Sequence, residues 1–407
     1  MRNRIAILIV IIMALSLTGC WNRRDPENLA HVHATGLDYD PGTGMYHLTV
    51  QMANPVAMGD QDAGQGGRGE KKPYWAVSAS GRFPFETMRS LAEYTSRELF
   101  WAHNKVLLLS ERLARHGVYE AIDVRERERQ LRPASQVAIV DGDIRKLMEA
   151  DFPLEETGAE GIARQITTTR YERSLFPART LNELLSVLAQ PGVDMFIGRI
   201  EVAEAAEMAG GQTGSDSGTT NIQPPARVAG GALFKGDRMV GWADERQAIG
   251  WNYATGRSFR STLLIPDPID NKAEIGVEIT QLDSRMRPVF VDGSLGIEVV
   301  IRAIGRIQNY PGHGKLDIES PYIQSLEQRT AEYVRSTVES TIALSRELES
   351  DIIGFGNLIY RKQPKLWKEI EDRWYEVFKD IQIDIKVDVN IRHSGLTASP
   401  MAPEKRR

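Results

Sequence analysis

The sequence predicts a multidomain chain of mixed α+β and α/β class, with about three domains in which sheets pack with helices. Three observations predict it. Strand-length apolar runs alternate with helical patterns through the first third of the chain. One helical stripe runs through Ile323, Leu326, Val334, Val338, Ile342, Leu348 and Ile352. Near the carboxyl end, Ile381, Ile383, Ile385, Val387, Val389 and Ile391 alternate with Gln382, Asp384, Lys386, Asp388, Asn390 and Arg392, so one side of that strand is buried and the other wet. At 407 residues the chain exceeds one ordinary domain, and 42% hydrophobic with 26% charged residues is the composition of a packed protein.

In chain order, residues 30–37 and 45–53 read as strands joined by the turn chemistry of Asp40-Pro41-Gly42. Residues 57–72, rich in Gly, Gln and charge, read as a mobile loop. A strand follows at 74–80. A helix is expected over 85–100, with Met88, Leu91, Ala92, Leu99 and Phe100 on one face. Val106–Leu109 is a buried strand, followed by helices at 111–116 and 118–130 and a strand at 136–140. Together these form an α/β domain over about 22–150. Residues 151–204 read as a mainly helical subdomain, with a Leu181, Leu184, Leu185, Leu188 stripe and a strand at 196–203. The 20–204 region is separated by a flexible linker or loop, 205–225, from one or more C-terminal domains spanning 226–395. That second half opens with a hairpin of 228–234 and 239–242 around Lys235-Gly236-Asp237, then strands at 274–282, 287–291 and 295–308. Ser320 suits the N-cap and Pro321 the first turn of a long helix ending near Gly354. A second helix after Pro364 aligns Trp367, Ile370, Trp374 and Phe378. Residues 396–407 read as a disordered tail.

The amino terminus carries the sharpest signal. Arg2 and Arg4 precede an uncharged apolar run, Ile5–Leu17, too short for the roughly 20 residues of a spanning helix. The run ends in Leu17-Thr18-Gly19-Cys20, the pattern of a lipoprotein signal. Small residues let the backbone enter a signal peptidase, and a thiolate accepts a diacylglyceryl group. Residues 1–19 are therefore expected to be removed. Cys20 is then expected to carry lipid, with its new amino group open to N-acylation, and Leu17, Thr18 and Gly19 to serve cleavage. Two acyl chains anchor stably where one is marginal. The single cysteine excludes a disulfide framework and any multi-cysteine metal site. The formal charge of −5, more acidic once Arg2 and Arg4 are gone, argues against nucleic acid as a partner.

Candidate chemistry is thin. Gly64-Gln65-Gly66-Gly67-Arg68-Gly69 matches a dinucleotide fingerprint in letters, but lies in a polar stretch rather than between a strand and a helix. His31 and His33 share a strand face, with His47 on the neighbouring strand, yet no third ligand is in view and no metal is expected. Arg125–Arg129 reads as a solvated helix face, with subunit docking as the sharper alternative. Trp367 and Trp374 read as core, with partner contact second. No esterase, zinc-protease or Walker signature is present, so no catalytic residue and no enzymatic activity are expected.

Several segments resemble the Ger(x)C family, the lipoprotein C subunits of nutrient germinant receptors in spore-forming bacteria. Gly19-Cys20-Trp21-Asn22-Arg23-Arg24 is similar to the family's opening, and Thr35-Gly36-Leu37-Asp38 to the close of its first strand. His103–Ala114 resembles its His-x-Lys strand and following helix. Gly230–Phe234 with Val240-Gly241-Trp242 resembles its hairpin, and Asp351-Ile352-Ile353-Gly354-Phe355-Gly356 with Trp367–Trp374 its most distinctive block. His31, His33 and the polar 205–225 insertion depart from the pattern. The resemblance implies a non-catalytic subunit required for spore germination. It would be lipid-anchored on the outer face of the cell membrane (the inner membrane of the spore) and assembled with a multi-span A and a transporter-like B subunit. No small-molecule substrate is implied. The competing classes are a solute-binding lipoprotein of an importer, which would read as two similar lobes, and a tethered enzyme.

Overall fold

The described residues form two sheets, each with helices packed against it. The computed structural model describes residues 25–54, 72–127, 132–202, 225–310 and 320–393, with residues 4, 5, 57 and 130 besides. Most of the expected lipoprotein signal with Cys20, most of the 57–72 loop including Gly64–Gly69, residues 205–224 and the tail lie outside the described residues.

The first sheet begins as an antiparallel meander of β1 (Leu29–Asp40), β2 (Met45–Ala53) and β3 (Tyr74–Gly81). The β1–β2 turn forms as the residues dictate. The Asp40 carboxylate accepts the Gly42 N–H at 3.0 Å and the Thr43 hydroxyl at 2.7 Å, and Gly44 takes φ +69°. Next come α1 (Pro84–Ser90), β4 (Glu98–Phe100), β5 (Val106–Ser110), α2 (Glu111–His116), α3 (Tyr119–Arg127), β6 (Gln136–Asp141), α4 (Ile144–Glu149) and α5 (Gly158–Arg173). After these run β7 (Arg179–Thr180), α6 (Leu181–Leu188), β8 (Phe196–Val202), β9 (Ala226–Lys235) and β10 (Arg238–Ala243). The strand order is β10-β9-β8-β6-β5-β1-β2-β3, with β4 beside β1 and β7 beside β6. At its centre β1, β5, β6 and β8 are parallel. Leu107 and Leu109 pack with Leu113, Ile122 and Leu184 on one face, and Val106 and Leu108 with Ile144, Leu147 and Ile166 on the other. Cover on both faces is why β5 is an unbroken apolar run.

The second sheet, order β11-β12-β13-β14, follows α7 (Glu245–Ala254). Its strands are β11 (Ser261–Pro266), β12 (Glu274–Val291), β13 (Ser294–Asn309) and β14 (Gln382–His393), the last parallel to β13. Between β13 and β14 lie α8 (Pro321–Glu347), α9 (Phe355–Lys362), α10 (Pro364–Ile370) and α11 (Trp374–Asp380). Ile385, Val389 and Ile391 of β14 share one cluster with Leu326, Val334 and Val338 of α8, so the alternation seen in the sequence is a buried face and a wet one. Among the described residues, no helix is long and apolar enough to cross a membrane.

The mixed class stands, and several expectations change. The helix expected over 85–100 stops at Ser90, because Glu98–Phe100 instead pair in parallel with Leu29–His31. Residues 151–204 are not a separate helical unit, since Ile162 and Ile166 of α5 and Leu184 of α6 cover the two faces of the first sheet. The 228–242 hairpin, assigned to the second half, pairs through β9 with β8 and extends that sheet. Strands 274–282 and 287–291 are one, since the polar stretch at 283–287 is a solvent-facing alternation paired throughout with β13. The long helix has 27 residues, about 40 Å, and ends before Glu349, which adopts φ +49°. Helices α4 and α7 and strand β11 go unmarked in the sequence pattern.

Gly198 of β8 is a point of close approach, for an added Cβ would lie 2.0 Å from the ring of buried Phe176. We predict that Gly198→Ala destabilises the protein by about 1–3 kcal/mol through overpacking. The check is the urea midpoint followed by tryptophan fluorescence, and an unchanged midpoint would contradict the predicted loss.

Candidate functional site

Two short stretches touch where the two sheets meet, Pro191–Asp194 ahead of β8 and Ser350–Asn357, which runs from the end of α8 into the first turn of α9. The Asp194 N–H donates to the Asp351 carbonyl at 2.9 Å, and the Asp351 N–H donates back to Asp194 Oδ2 at 2.8 Å. The second oxygen of Asp194 accepts the Gly236 N–H of the β9–β10 turn at 2.9 Å, and the Tyr375 hydroxyl donates to the same carboxylate at 3.0 Å. The Asp351 carboxylate accepts three backbone N–H groups, from Gly354 (2.8 Å), Phe355 (3.1 Å) and Gly356 (2.7 Å), and so caps the start of α9 from inside the protein. Asn357 ties the same turn to the first unit, its N–H donating to the Gly192 carbonyl at 2.6 Å and its side-chain amide to that of Pro191 at 3.0 Å. The Trp251 indole of α7 donates to the Ile352 carbonyl at 2.8 Å.

The glycines follow from this contact. A Cβ on Gly356 would lie 2.8 Å from the Gly192 carbonyl oxygen and from Trp374, and one on Gly192 would lie 2.5 Å from Gly356. Gly192 and Gly354 also take φ +69° and +85°. Trp367 and Trp374, ring centroids 5.6 Å apart, are buried under the turn, so their use is core packing.

Electrostatically the junction is two buried carboxyls with little cationic compensation. Burial pushes Asp351 up to about 7, outweighing its N–H donors, and the nearby Asp194 charge adds to the rise. Burial raises Asp194 as well, against the Gly236 and Asp351 N–H donors, Tyr375 and Lys235. At the rim, hydrogen bonds from Lys235 and Lys379 hold Glu349 down at about 2. The arrangement can carry or release a proton while holding two sheets in register, and every carboxylate oxygen is already engaged by the chain itself.

A cleft of about 610 Å³ opens at the carboxyl ends of β1, β5 and β6, where ligands bind in open α/β sheets. Its polar groups are partnered within the chain. Arg112 pairs with Asp38, His47 Nδ1 lies 2.7 Å from Ser80 Oγ, Asp143 caps α4, and Arg145 donates to Glu149 at 2.8 Å. No nucleophile, base and orienting group converge there.

The sequence candidates fare unevenly. Leu17, Thr18, Gly19 and Cys20 lie outside the described residues. His31 packs its ring against His103, centroids 4.9 Å apart, and burial draws His33 down to about 4. His47 pairs across from Asp38, away from both, and among the described residues no group of three or more His, Cys, Asp or Glu could hold a metal ion. Arg125, Glu126 and Arg127 close α3. The Asp194–Asp351 pair was not singled out beforehand. The available signal was a lone Asp in each of two apolar stretches, Pro-Gly-Val-Asp-Met-Phe-Ile and Asp-Ile-Ile-Gly-Phe-Gly.

Two family models cover most of the chain: "Spore germination protein N-terminal domain" matches residues 22–202, and "Spore germination B3/ GerAC like, C-terminal" matches residues 229–395. The chain belongs to the Ger(x)C (GerAC) family of spore germination proteins. Spore germination protein KC of Bacillus subtilis is 24% identical over 97% of each chain, and putative spore germination protein YfkR of the same organism 24% over 95% of each. A crystal structure of the GerBC protein shares the fold, with a TM-score of 0.54 and 14% identity over 88% of this chain and 96% of that one. In this Ger(x)C protein, Asp194 belongs to the N-terminal family domain and Asp351 to the C-terminal one, so the junction is the seam between them.

A raised folded-state pKa means the native state keeps a proton that the unfolded chain, with its ordinary carboxyl near 4, has released. We predict that stability falls as pH rises from about 4 to about 7 and levels off above. Asp351→Asn should flatten this slope and, by setting an amide donor against the Gly356 N–H, cost about 1–3 kcal/mol at pH 5. Urea midpoints across the pH range check both. An equal slope in the variant would place the titration elsewhere.

Proposed function

We propose that this chain is the lipid-anchored, non-catalytic C subunit of a nutrient germinant receptor, acting by assembly with the A and B membrane subunits. The observation that carries this reading is positional. The family match begins at residue 22, two residues beyond Cys20, and runs in order through both domains to residue 395. A lipid on Cys20 would therefore hold the family body, with no spacer domain, at the outer face of the membrane. There its effective concentration near integral subunits is high. Two further features fit a protein that works by position. The polar groups of the cleft at the carboxyl ends of β1, β5 and β6 are committed to partners within the chain. The fold also consists of two unlike sheets rather than the paired lobes of a solute-binding lipoprotein.

The test is release of the tether. With residues 1–19 exchanged for an ordinary cleavable secretory signal and Cys20→Ala, the body should fold and leave the membrane fraction. Spores relying on this receptor should then respond weakly or not at all to its nutrient. Mass spectrometry of the native chain should find a mature terminus at Cys20 with diacylglyceryl mass. An unmodified thiol there, or a normal response from the released variant, would overturn the reading.

A further inference from the structure

We infer that the end of the first sheet at which β1 begins rests on the phospholipid headgroups, with Trp75, Tyr94 and Leu154 in the membrane interface. The inference rests on the lipid-anchored reading above and adds the face presented to the bilayer. Eight residues separate Cys20 from Leu29, a span of nine Cα–Cα steps, and three of the eight, Pro26–Asn28, form a 3-10 turn. Even with six steps fully extended and three at about 2 Å each, the span reaches at most about 27 Å. The start of β1 therefore cannot lie far from the acyl chains, whichever way the rest of the body points.

Around that point, exposed aromatic and apolar side chains stand among polar ones such as Asn54, Ser96 and Asp151. The strand register sets Val32 opposite Met52 and Met52 opposite Trp75, so the start of β1, the end of β2 and the start of β3 lie at one end. Trp75 is 48% exposed and shares an open recess of about 280 Å³ with Ala30, Asn54, Ser96 and Arg97. Tyr94, next to that recess in sequence, is 57% exposed. The α4–α5 connection is brought to the same end by the Lys72–Asp151 ion pair (2.8 Å) and by the Tyr74 hydroxyl donating to the Glu149 carbonyl at 2.8 Å. Three residues on, Leu154 is 92% exposed.

A Trp, a Tyr and a Leu with an Arg at hand is the side-chain chemistry of a membrane–water interface. Amphipathic rings sit at headgroup level there, and a guanidinium meets lipid phosphate. The net charge of −5 argues against general attraction to anionic lipid, so the contact is interfacial and zwitterionic lipid suffices. A tether alone fixes distance. This contact would fix orientation.

The experiment uses the full lipidated chain in phosphatidylcholine vesicles whose acyl chains carry bromine near the headgroup, with Trp21→Phe as background so that the tether itself is silent. Bromine-dependent quenching of tryptophan emission is expected, and Trp75→Phe should remove most of it. Leu154→Asp with Tyr94→Asp should weaken it severalfold while the chain still floats with the vesicles. Flotation with quenching indifferent to Trp75→Phe would sink this inference and leave the tether standing. Failure to float would sink both. Shielding of Trp75 from iodide only when a second copy or a membrane subunit is added would assign the surface to protein and overturn the inference.

Discussion

The exchange between Asp194 and Asp351 is the constraint on which the rest of the architecture turns. Removing two carboxyls from water costs several kcal/mol each unless their oxygens are met by donors, and cations are scarce at this seam. Four backbone N–H groups, the Asp351 N–H itself and Tyr375 meet the need instead. That solution dictates local geometry. Helix α8 has to stop where it does, with Glu349 left-handed, so that Asp351 can turn inward under α9. Gly192 and Gly356 have to lack side chains because their backbones touch. The buried Trp367–Trp374 pair packs under the turn and shields it from solvent, which strengthens its hydrogen bonds.

The seam also changes what the two family domains mean physically. The C-terminal one begins at residue 229, yet its first hairpin, β9–β10, lies in the sheet built by the N-terminal one. The turn of that hairpin donates to Asp194, and Lys235 beside it pairs with Glu349 at 2.7 Å. The domains are therefore interlocked rather than strung together. Opening the seam would expose an unpaired edge of β8 as well as two buried carboxyls, a far higher cost than separating the polar faces of ordinary neighbouring domains.

Legibility in the sequence follows the same physics. Strands β2, β5, β6 and β14 were readable because packing on one or both faces imposes a strict apolar pattern that no other constraint disturbs. The reading failed where a long-range pairing overrode local preference. Leu99 and Phe100 continue a helical stripe, and only the presence of Leu29–His31 alongside turns them into strand. Ile352 continues the stripe of α8 and still leaves it, because its carbonyl is wanted by Trp251 across the seam. The junction itself was half legible. The Asp-Ile-Ile-Gly-Phe-Gly block stood out as a motif, but its partner Asp194 lies 157 residues away, and no periodicity connects two residues brought together by topology.

A protein that acts by where it stands has to solve two separate problems, its distance from the membrane and the direction it faces. A lipid tether at Cys20, as proposed above, would address only the first, since a flexible attachment leaves rotation free. Rotation matters because encounter between two specific patches is slowed chiefly by orientation rather than by diffusion. Two conditions would fix the direction of the whole body: the first sheet held against the bilayer, as inferred above, and the second sheet held against the first. The seam meets the second condition in covalently independent ways, through the paired aspartates, the shared hairpin and the Asn357 ties. Loss of any one would leave the other two in place. That redundancy fits the positional role proposed above, in which the direction of a whole body matters more than the geometry of one cleft.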